Sequence, residues 1–310
     1  MEIIRAYVLT DEELLAAKEL IKVVQAFDQT HRTPYLSNQL NFDVDMPSFF
    51  LGYDEGKLVA LLTVYADCQE AELAILVHPN HRRKGYAKAL WREFDEIRRD
   101  YQLRPIIMTE KCFLDKNPDL TRHLGMVLEP DFEYWLARER EPYPLEERTD
   151  LTVLEASTAH IEAIADFQMK AFKESKEQAL HYAKGALEDE NGKLYTVMRG
   201  DTVLSSCTVD FSTDYNYFYG FAVVEDCRGQ GIGTYFMKRL VNQLIAENEK
   251  TFQIAVESAN IAAKSLYEKL GFKEQTQVFY VKKIDRFHTL NPCFITILTV
   301  NSCVDNLNLV

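Results

Sequence analysis

The chain has 310 residues, 47% hydrophobic and 27% charged, which is typical of a globular protein large enough for two cores. Its formal net charge of −13 disfavours nucleic acid as a partner, because phosphate backbones attract basic surfaces. No apolar run reaches the roughly 18 residues of a membrane span, and the start lacks the pattern of a secretory signal. Six cysteines are scattered without metal or disulfide spacing. We therefore expect a cytoplasmic protein with reduced thiols, no membrane association and no metal.

The first half of the chain predicts an α/β arrangement. Apolar runs indicate strands, and amphipathic runs with three- and four-residue spacing indicate helices. The predicted strands are 3–9, 49–53, 58–65 and 72–77, and the predicted helices are 11–28 and 87–98. Residues 54–56, Asp-Glu-Gly, have the composition of a hairpin turn that joins the second and third strands.

The second half repeats this order of elements. Its predicted strands are 151–155, 194–198, 203–211, 217–224 and 251–256, and its predicted helices are 159–172, 176–188 and 231–247. Antiparallel hairpins followed by strand–helix–strand units predict a mixed, mostly antiparallel central sheet with helices on both faces.

A glycine-rich loop joins a predicted strand to a predicted helix at residues 228–233, Arg-Gly-Gln-Gly-Ile-Gly. Its glycines let backbone N–H groups approach a ligand closely, and the first turn of the helix adds unpaired N–H groups and the positive end of its dipole. This pattern favours a phosphate site, although an ordinary glycine-rich turn is the alternative. No lysine follows Gly233, which excludes a P-loop, and the spacing differs from that of a dinucleotide fingerprint.

A second motif follows one strand later, between Asn260 and Gly271. Asn260 is a suitable N-cap for a short helix, and Gly271 is placed to end that helix in a left-handed conformation. Ala263 and Tyr267 share one face of this helix, so Tyr267 is either a functional residue or a core aromatic.

The two motifs, Arg-x-x-Gly-x-Gly and Asn-x-x-Ala-x-x-Leu-Tyr-x-x-x-Gly-Phe, resemble those of the GCN5-related N-acetyltransferase (GNAT) superfamily. The resemblance implies acetyl-CoA as co-substrate and an amine as acceptor. It also implies main-chain bonds from the strand before the loop to the pantetheine arm, and pyrophosphate held by the loop. The cofactor-binding residues that it implies here are Phe221, Ala222, Val223, Arg228, Gly229, Gln230, Gly231, Ile232, Gly233, Thr234, Asn260 and Ala263.

The same resemblance implies roles in catalysis. Tyr267 would donate a proton to the departing thiolate. A base must deprotonate the amine, and where many members of the superfamily carry a glutamate this chain has Tyr217. Glu257, at the end of the following strand, is our candidate for that base, and a solvated or helix-start charge is its alternative role.

An internal repeat relates the two halves of the chain. Arg82 and Gly85 lie 146 residues before Arg228 and Gly231, and Leu124-Gly125 shares that offset with Leu270-Gly271. We interpret the chain as two copies of one domain. The predicted domains are 1–140 and 149–285, joined by a charged, proline-bearing linker at 141–148.

The two copies are chemically unequal. At the same offset Tyr267 corresponds to Thr121, and Asn260 to Leu114. The first copy either binds coenzyme or serves as a structural, acceptor-shaping partner. Its candidate coenzyme residues are Val77, Arg82, Arg83, Lys84, Gly85, Tyr86 and Ala87. This layout is similar to that of the mycothiol synthase type of bacterial acetyltransferase.

The sequence thus predicts an acetyl-CoA-dependent N-acetyltransferase with its active centre in the second copy, acting on a small-molecule or peptide amine as a monomer or homodimer. The alternatives are a non-catalytic acyl-CoA-binding or regulatory module, and transfer of a longer acyl group or to a hydroxyl. Residues 286–310 carry an apolar run, 293–300, that would add a strand, pair with another subunit or extend without order.

Overall fold

The computed structural model describes residues 1–283, so the predicted tail at 286–310 lies outside the described residues. The chain divides into two compact units. Unit 1 contains residues 1–132 and, among the described residues, 276–283; unit 2 contains residues 133–275. None of the helices in residues 1–283 combines the length and hydropathy that crossing a membrane requires.

Unit 1 is a mixed sheet with helices on both faces. Its elements in chain order are β1 (Glu2–Ala6), α1 (Asp11–Asp28), β2 (Phe49–Asp54), β3 (Lys57–Tyr65), β4 (Glu70–Val77), α2 (Tyr86–Asp100), β5 (Arg104–Glu110), α3 (Lys111–Lys116) and α4 (Leu120–Leu124), followed by the first half of β6 (Val127–Arg138). β1 to β4 pair antiparallel with their neighbours, and β4 pairs parallel with β5. The first strand ends at residue 6 rather than the predicted 9, because Thr10 already caps α1 through a capping box.

Unit 2 repeats this plan. After the second half of β6 its elements are β7 (Thr152–Glu155), α5 (Ile161–Phe172), α6 (Lys176–Glu188), β8 (Gly192–Arg199), β9 (Thr202–Asp210), β10 (Tyr215–Val223), α7 (Ile232–Glu247), β11 (Thr251–Glu257), α8 (Ile261–Lys269) and the start of β12 (Lys273–Lys282). β7 to β10 pair antiparallel in sequence order, and β10 pairs parallel with β11. The predicted α/β class, with a mixed sheet covered on both faces, is confirmed.

The last strand of each unit comes from the other half of the sequence. In unit 1, residues 278–282 of β12 pair with β5, and in unit 2, residues 133–138 of β6 pair with β11. The compact units therefore do not follow the predicted domains 1–140 and 149–285. Those limits stay a prediction about where the two sequence copies begin and end. The repeat offset relates equivalent residues, but it does not specify which strands pair.

Alternation along the strands supplies two apolar layers in each unit. In β3, Leu62 packs in the cluster that contains Leu90 and Phe94 of α2, whereas its neighbour Leu61 packs with Leu20 of α1. In unit 2 the corresponding layers lie against α7 and α8 on one face and against α5 and α6 on the other. Such apolar burial, worth about 25 cal/mol per Å², holds the sheet in place and fixes the ends of its strands.

Candidate active site

A cleft opens in unit 2 where β10 and β11 cease to pair. Their parallel ladder runs from Tyr215↔Thr251 to Phe218↔Ile254 and has no further rungs. On the other side of β10, the register with β9 shifts between Tyr219 and Ala222, where Gly220 has φ 60°. A bulge of this kind bends its strand, so β10 diverges from β11. The two strands are therefore splayed beyond Phe218 and Ile254.

Side chains from β9 hold the carbonyls that flank the bulge. The Cys207 thiol donates to the Tyr219 carbonyl at 3.6 Å, and the Ser205 hydroxyl donates to the Ala222 carbonyl at 2.5 Å. Complete burial raises the pKa of the Cys207 thiol, so it stays protonated and can donate. These bonds satisfy backbone groups that the irregular ladder would leave unpaired. Cys207 and Ser205 were not predicted as site residues, because no residue near them in the sequence indicates a bulge on the neighbouring strand.

The glycine-rich loop leads from β10 into α7 in a conformation that presents N–H groups. Gly229 and Gly231 have φ 75° and 73°, in the left-handed region that favours glycine. Gly231 is the N-cap of α7 and supplies no side-chain cap, and the first turn of that helix carries no acidic residue. The first N–H groups of α7 and its dipole are thus oriented to bind an anion.

Two arginines brace this loop. Arg228 donates from Nε to the Val223 carbonyl at 3.2 Å. Arg148 donates to the Gln230 carbonyl at 3.0 Å and makes a bidentate pair with Asp150. The bond from Arg148 lowers the pKa of Asp150 to about 2. Arg148 lies in the predicted linker and was not a predicted site residue, since its sequence neighbourhood gives no sign that it reaches the loop.

Gly233 permits the close approach of α7 to β10. A Cβ atom at this position would lie 3.1 Å from Cζ of Phe221 and 3.2 Å from Cγ2 of Val223. Both contacts are shorter than ordinary van der Waals separations, so even an alanine would require the side chains of Phe221 and Val223 to shift. The last glycine of the motif therefore sets helix–strand packing, whereas Gly229 and Gly231 set the backbone of the loop.

Helix α8 positions Tyr267 as the motif predicted. The Asn260 side chain accepts from the Ala263 N–H at 3.0 Å, which confirms the predicted N-cap. At the other end Gly271, with φ 82°, and Phe272 donate to the carbonyls of Glu268 and Tyr267 in a Schellman arrangement. Both ends of this short helix are thereby fixed.

The Tyr267 side chain is almost completely buried, with 5% of its surface exposed. Its ring lies 6.3 Å from the ring of Phe221 and 6.1 Å from that of Phe272, measured between centroids. Burial raises the pKa of its hydroxyl, and the nearby Cys207 adds to the increase. The hydroxyl therefore remains a proton donor at neutral and moderately alkaline pH. Tyr267 belongs both to the core and to the lining of the cleft, so a role as a core aromatic and a role as a functional residue are compatible here.

We expect Asn260→Ala to reduce the free energy of unfolding of unit 2 by about 1 kcal/mol, the usual cost of losing an N-cap. Urea denaturation followed by circular dichroism measures this change. Thr10→Ala, which removes the cap of α1 in unit 1, is the matched control. Acetyl-CoA should stabilise Asn260→Ala less than it stabilises Thr10→Ala; equal stabilisation would contradict a place for Asn260 in the site.

These elements enclose a cavity of about 510 Å³ within unit 2. It brings together nearly all residues predicted for the second copy, which are Phe221, Ala222, Val223, Arg228, Gly229, Gly231, Ile232, Gly233, Thr234, Glu257, Asn260, Ala263 and Tyr267. The exception is Gln230, whose side chain donates to the Asp226 carbonyl at 3.2 Å instead. Ala171 and Phe172 at the end of α5 also line the cavity, and no local sequence signal distinguishes them.

A second carboxylate lies beside Glu257. Glu133 of β6 is its direct partner in the antiparallel ladder, and opposite residues project from the same face of a sheet. Glu133 is completely buried, and one of its oxygens accepts from the Trp135 indole N–H at 2.9 Å. No local sequence signal indicates Glu133, because it belongs to the first copy and joins unit 2 only through β6.

The loop of unit 1 repeats the backbone of the loop of unit 2. Arg82 donates from Nε to the Val77 carbonyl at 3.1 Å, as Arg228 does to Val223. Gly85 has φ 90° and is the N-cap of α2, and Arg83 takes the left-handed conformation of Gly229 with φ 62°. Gly125 ends α4 with the same pair of bonds that Gly271 makes. The internal repeat thus extends to individual hydrogen bonds.

Unit 1 nevertheless differs at the strand before the loop. Its β3–β4 ladder keeps one register from Tyr65↔Glu72 to Ala60↔Val77, so β4 has no counterpart of the β10 bulge. The parallel ladder of β4 with β5 ends at Leu73↔Ile107, which matches the end of the ladder in unit 2. The strands of unit 1 therefore also diverge, but without the extra residue that bends β10.

In unit 2, a mixed sheet with a bulged strand and diverging parallel neighbours thus leads through a glycine-rich loop into α7. Two family models match the chain: Acetyltransferase (GNAT) family at residues 14–123 and Acetyltransferase (GNAT) domain at residues 156–288. The chain therefore belongs to the GNAT superfamily as a tandem protein. GNAT enzymes use acetyl-CoA as co-substrate and acetylate amine acceptors.

Curated relatives and solved structures are similar to this chain. It is 31% identical over 87 residues to the [Ribosomal protein bS18]-alanine N-acetyltransferase of Escherichia coli (strain K12), which covers 28% of this chain and 53% of that protein. This chain thus spans about half the length of the curated relatives it matches. A GCN5-related N-acetyltransferase from Sphaerobacter thermophilus superposes with a TM-score of 0.66 at 14% identity, over 91% of this chain and 95% of that one.

A tandem GNAT protein from the clavulanic acid biosynthesis pathway superposes with a TM-score of 0.65, also at 14% identity, over 90% of this chain and 97% of that one. At such identities the two structural similarities concern the fold.

Within residues 1–283, no group of three or more His, Cys, Asp or Glu side chains could hold a metal ion.

Proposed function

We propose that the protein is an acetyl-CoA-dependent N-acetyltransferase whose active centre lies in unit 2 and whose acceptor is a primary amine. The observation that carries this proposal is the shared cavity: the Tyr267 side chain and the glycine-rich loop at the start of α7 line one space of about 510 Å³. One cavity thus contains an anion site and a buried proton donor. This combination suits acetyl-CoA, which has a pyrophosphate at one end and a thioester at the other.

The residues present fit the coenzyme along its length. The N–H groups at the start of α7, with Arg228 beside them, suit the pyrophosphate. Among residues 1–283, no strand pairs beyond Phe218 with the edge of β10 that faces β11, so residues 221–223 can pair with the pantetheine arm like an added strand. A backbone N–H near Ala222 is suited to stabilise negative charge on the thioester oxygen, an effect worth about 3 kcal/mol for one such donor.

The chemistry requires two proton movements. Acetyl-CoA supplies an activated acetyl thioester, and a neutral amine must attack its carbonyl carbon. Because an alkyl ammonium has a pKa of about 10, a base must first remove its proton at neutral pH. Tyr267, kept protonated by burial, donates to the departing sulfur. Glu257 lines the same cavity from the end of β11 and is our proposed base, acting directly or through water.

We expect Glu257→Gln to lower kcat/KM about 100-fold near pH 7, the usual range for a general base. The deficit should shrink as the pH approaches the pKa of the amine, about 10, because the acceptor then deprotonates without help. A pH series that follows release of free thiol measures both effects. Glu268→Gln, a surface change on α8 that removes only an ion pair with Lys264, is the control. A deficit that stays constant with pH would contradict the role of base.

An acceptor panel tests the whole proposal. Amino acids, polyamines, aminoglycosides, peptides with free N-termini and lysine peptides would be mixed with acetyl-CoA, and free thiol would be measured. Thiol release with at least one amine, accompanied by an acetylated product in mass spectra, is the expected result. Binding of acetyl-CoA with no release for any acceptor would instead support the non-catalytic module.

A further inference from the structure

In unit 1, the residues directly after α1 run along the groove between β4 and β5. Residues 28–33, Asp-Gln-Thr-His-Arg-Thr, are here called the inner segment. Helix α1 ends at Asp28, and Gln29 takes a left-handed conformation with φ 61° that turns the chain inward. In unit 2, by contrast, Ser175 starts α6 with a capping box two residues after the left-handed Lys173. The two copies therefore diverge immediately after their first helix.

The inner segment is anchored to the loop of unit 1 by charge. The Asp28 carboxylate accepts from both terminal amino groups of Arg82, at 2.8 and 2.5 Å. The guanidinium of Arg82 also lies 5.1 Å from the centroid of the Phe27 ring. Arg82 corresponds to Arg228, for whose terminal amino groups residues 1–283 provide no such carboxylate. A carboxylate of the chain itself thus binds the arginine that was expected to face a phosphate.

The end of β5 anchors the middle of the segment. The Glu110 carboxylate is buried and accepts from the backbone N–H groups of His31, at 2.8 and 3.0 Å, and of Arg32, at 2.8 Å. Arg32 in turn lies 3.0 Å from the Met108 sulfur and 3.8 Å from the Glu72 carboxylate. Backbone N–H groups of the segment therefore bind the Glu110 carboxylate at the end of β5, where the two strands have diverged.

Helix α3 completes the anchoring. The Lys116 ammonium donates to the Asp28 carbonyl at 2.7 Å, and the Cys112 thiol donates to the Gln29 carbonyl at 3.2 Å. The segment is thus bonded on three sides, by the loop before α2, by β5 and by α3. These three elements correspond to the loop before α7, β11 and the region of α8, which enclose the cavity of unit 2.

Strand register identifies which positions correspond. The parallel ladders end at Leu73↔Ile107 in unit 1 and at Phe218↔Ile254 in unit 2. The second strands of the two pairs are thus offset by 147 residues, one more than the loops, so that Met108 corresponds to Ala255 and Glu110 to Glu257. Ala255, Glu257 and Arg228 all line the cavity of unit 2. Three residues that hold the inner segment therefore occupy positions that face the coenzyme cavity in the other copy.

We infer that the inner segment fills the coenzyme groove of unit 1, with the Asp28 carboxylate in the place of the pyrophosphate. Unit 1 then binds no coenzyme, and one chain binds one molecule of acetyl-CoA, in unit 2. The part of this inference that concerns unit 2 rests on the proposed function. The part that concerns unit 1 rests only on the contacts of the inner segment, so the two can fail separately.

Two measurements on the full chain test the inference. Titration calorimetry with CoA should give one site per chain, and hydrogen exchange should show new protection at residues 228–234 with residues 28–33 unchanged. Without CoA, the His31 and Arg32 amides should exchange slowly in the wild type and at least tenfold faster in Glu110→Met, which keeps the side-chain volume but removes the acceptor. Lys111→Met, an exposed change one residue along, should leave that protection intact.

The outcomes separate the two claims. Two sites per chain, or faster exchange of residues 28–33 on addition of CoA, would overturn the inference while leaving the proposed function in place. No CoA binding at all would overturn the proposed function; slow exchange of the His31 and Arg32 amides that depends on Glu110 would still support the filled groove. If those amides exchange rapidly in the wild type, the groove is not filled.

Discussion

Replacing Tyr267 with phenylalanine is expected to lower kcat about 100-fold and to change the KM for acetyl-CoA by no more than about twofold. The phenylalanine ring can keep the packing of Tyr267 against Phe221 and Phe272, so the change removes only the hydroxyl. That hydroxyl is protonated at neutral pH, and burial raises its pKa further, so its loss leaves the departing thiolate without a donor. Steady-state kinetics with acetyl-CoA varied at saturating amine measure both parameters.

Tyr235→Phe provides the matched control for this experiment. Tyr235 is a buried tyrosine of α7 in the same unit, but its hydroxyl donates to Glu147 at 3.1 Å and it is not part of the cavity lining. This variant should turn over at the wild-type rate. Equal turnover of Tyr267→Phe and the wild type would refute the role of Tyr267 as an acid and leave it as a core residue.

The second large effect is expected from Gly231→Val, which should weaken acetyl-CoA binding at least about 10-fold. A β-branched residue is strained at φ 73°, by roughly 1–3 kcal/mol, and relief of that strain would turn the first N–H groups of α7 away from the anion. A Cβ at this position would meet no atom within 4 Å, so the effect acts through the backbone rather than through a clash. Calorimetric titration with CoA gives the dissociation constant.

Gly85→Val makes the same change at the equivalent residue of unit 1, where φ is 90° and a Cβ would also meet no atom within 4 Å. Both variants should lose a similar amount of thermal stability, because both strain the start of a helix. Only Gly231→Val should lose affinity for CoA. If Gly85→Val loses affinity and Gly231→Val keeps it, the coenzyme site has been assigned to the wrong copy.

Much of the candidate site could be predicted because its signals are local. A glycine-rich loop, an asparagine that caps a helix and a glycine that ends one are each specified within a few residues, as residues 228–233, Asn260 and Gly271 show. The 146-residue offset also located equivalent loops whose arginines make the same backbone bond. These predictions succeed because backbone conformation depends on neighbours in sequence.

Predictions were missing where contacts join distant residues. Arg148 reaches the loop across 82 positions, and the inner segment reaches Glu110 across 78 and 79. The same applies to Glu133, which becomes the neighbour of Glu257 only through the pairing of β6 with β11. Nothing in the sequence around these side chains distinguishes them from ordinary surface charges.

The sequence by itself determined that this protein is a tandem GNAT protein, and it identified the residues of one candidate coenzyme site. It could do so because phosphate-binding loops and helix caps impose residue types at fixed spacing. Only the tertiary structure decided which strand completes each unit and what fills each groove. Which strands pair and which side chains are buried depends on the free energies of contacts between segments that are distant in sequence. The equivalent loops before α2 and α7 therefore have different surroundings. An aspartate of the chain itself binds to the loop in unit 1, and an open cavity lies beside the loop in unit 2.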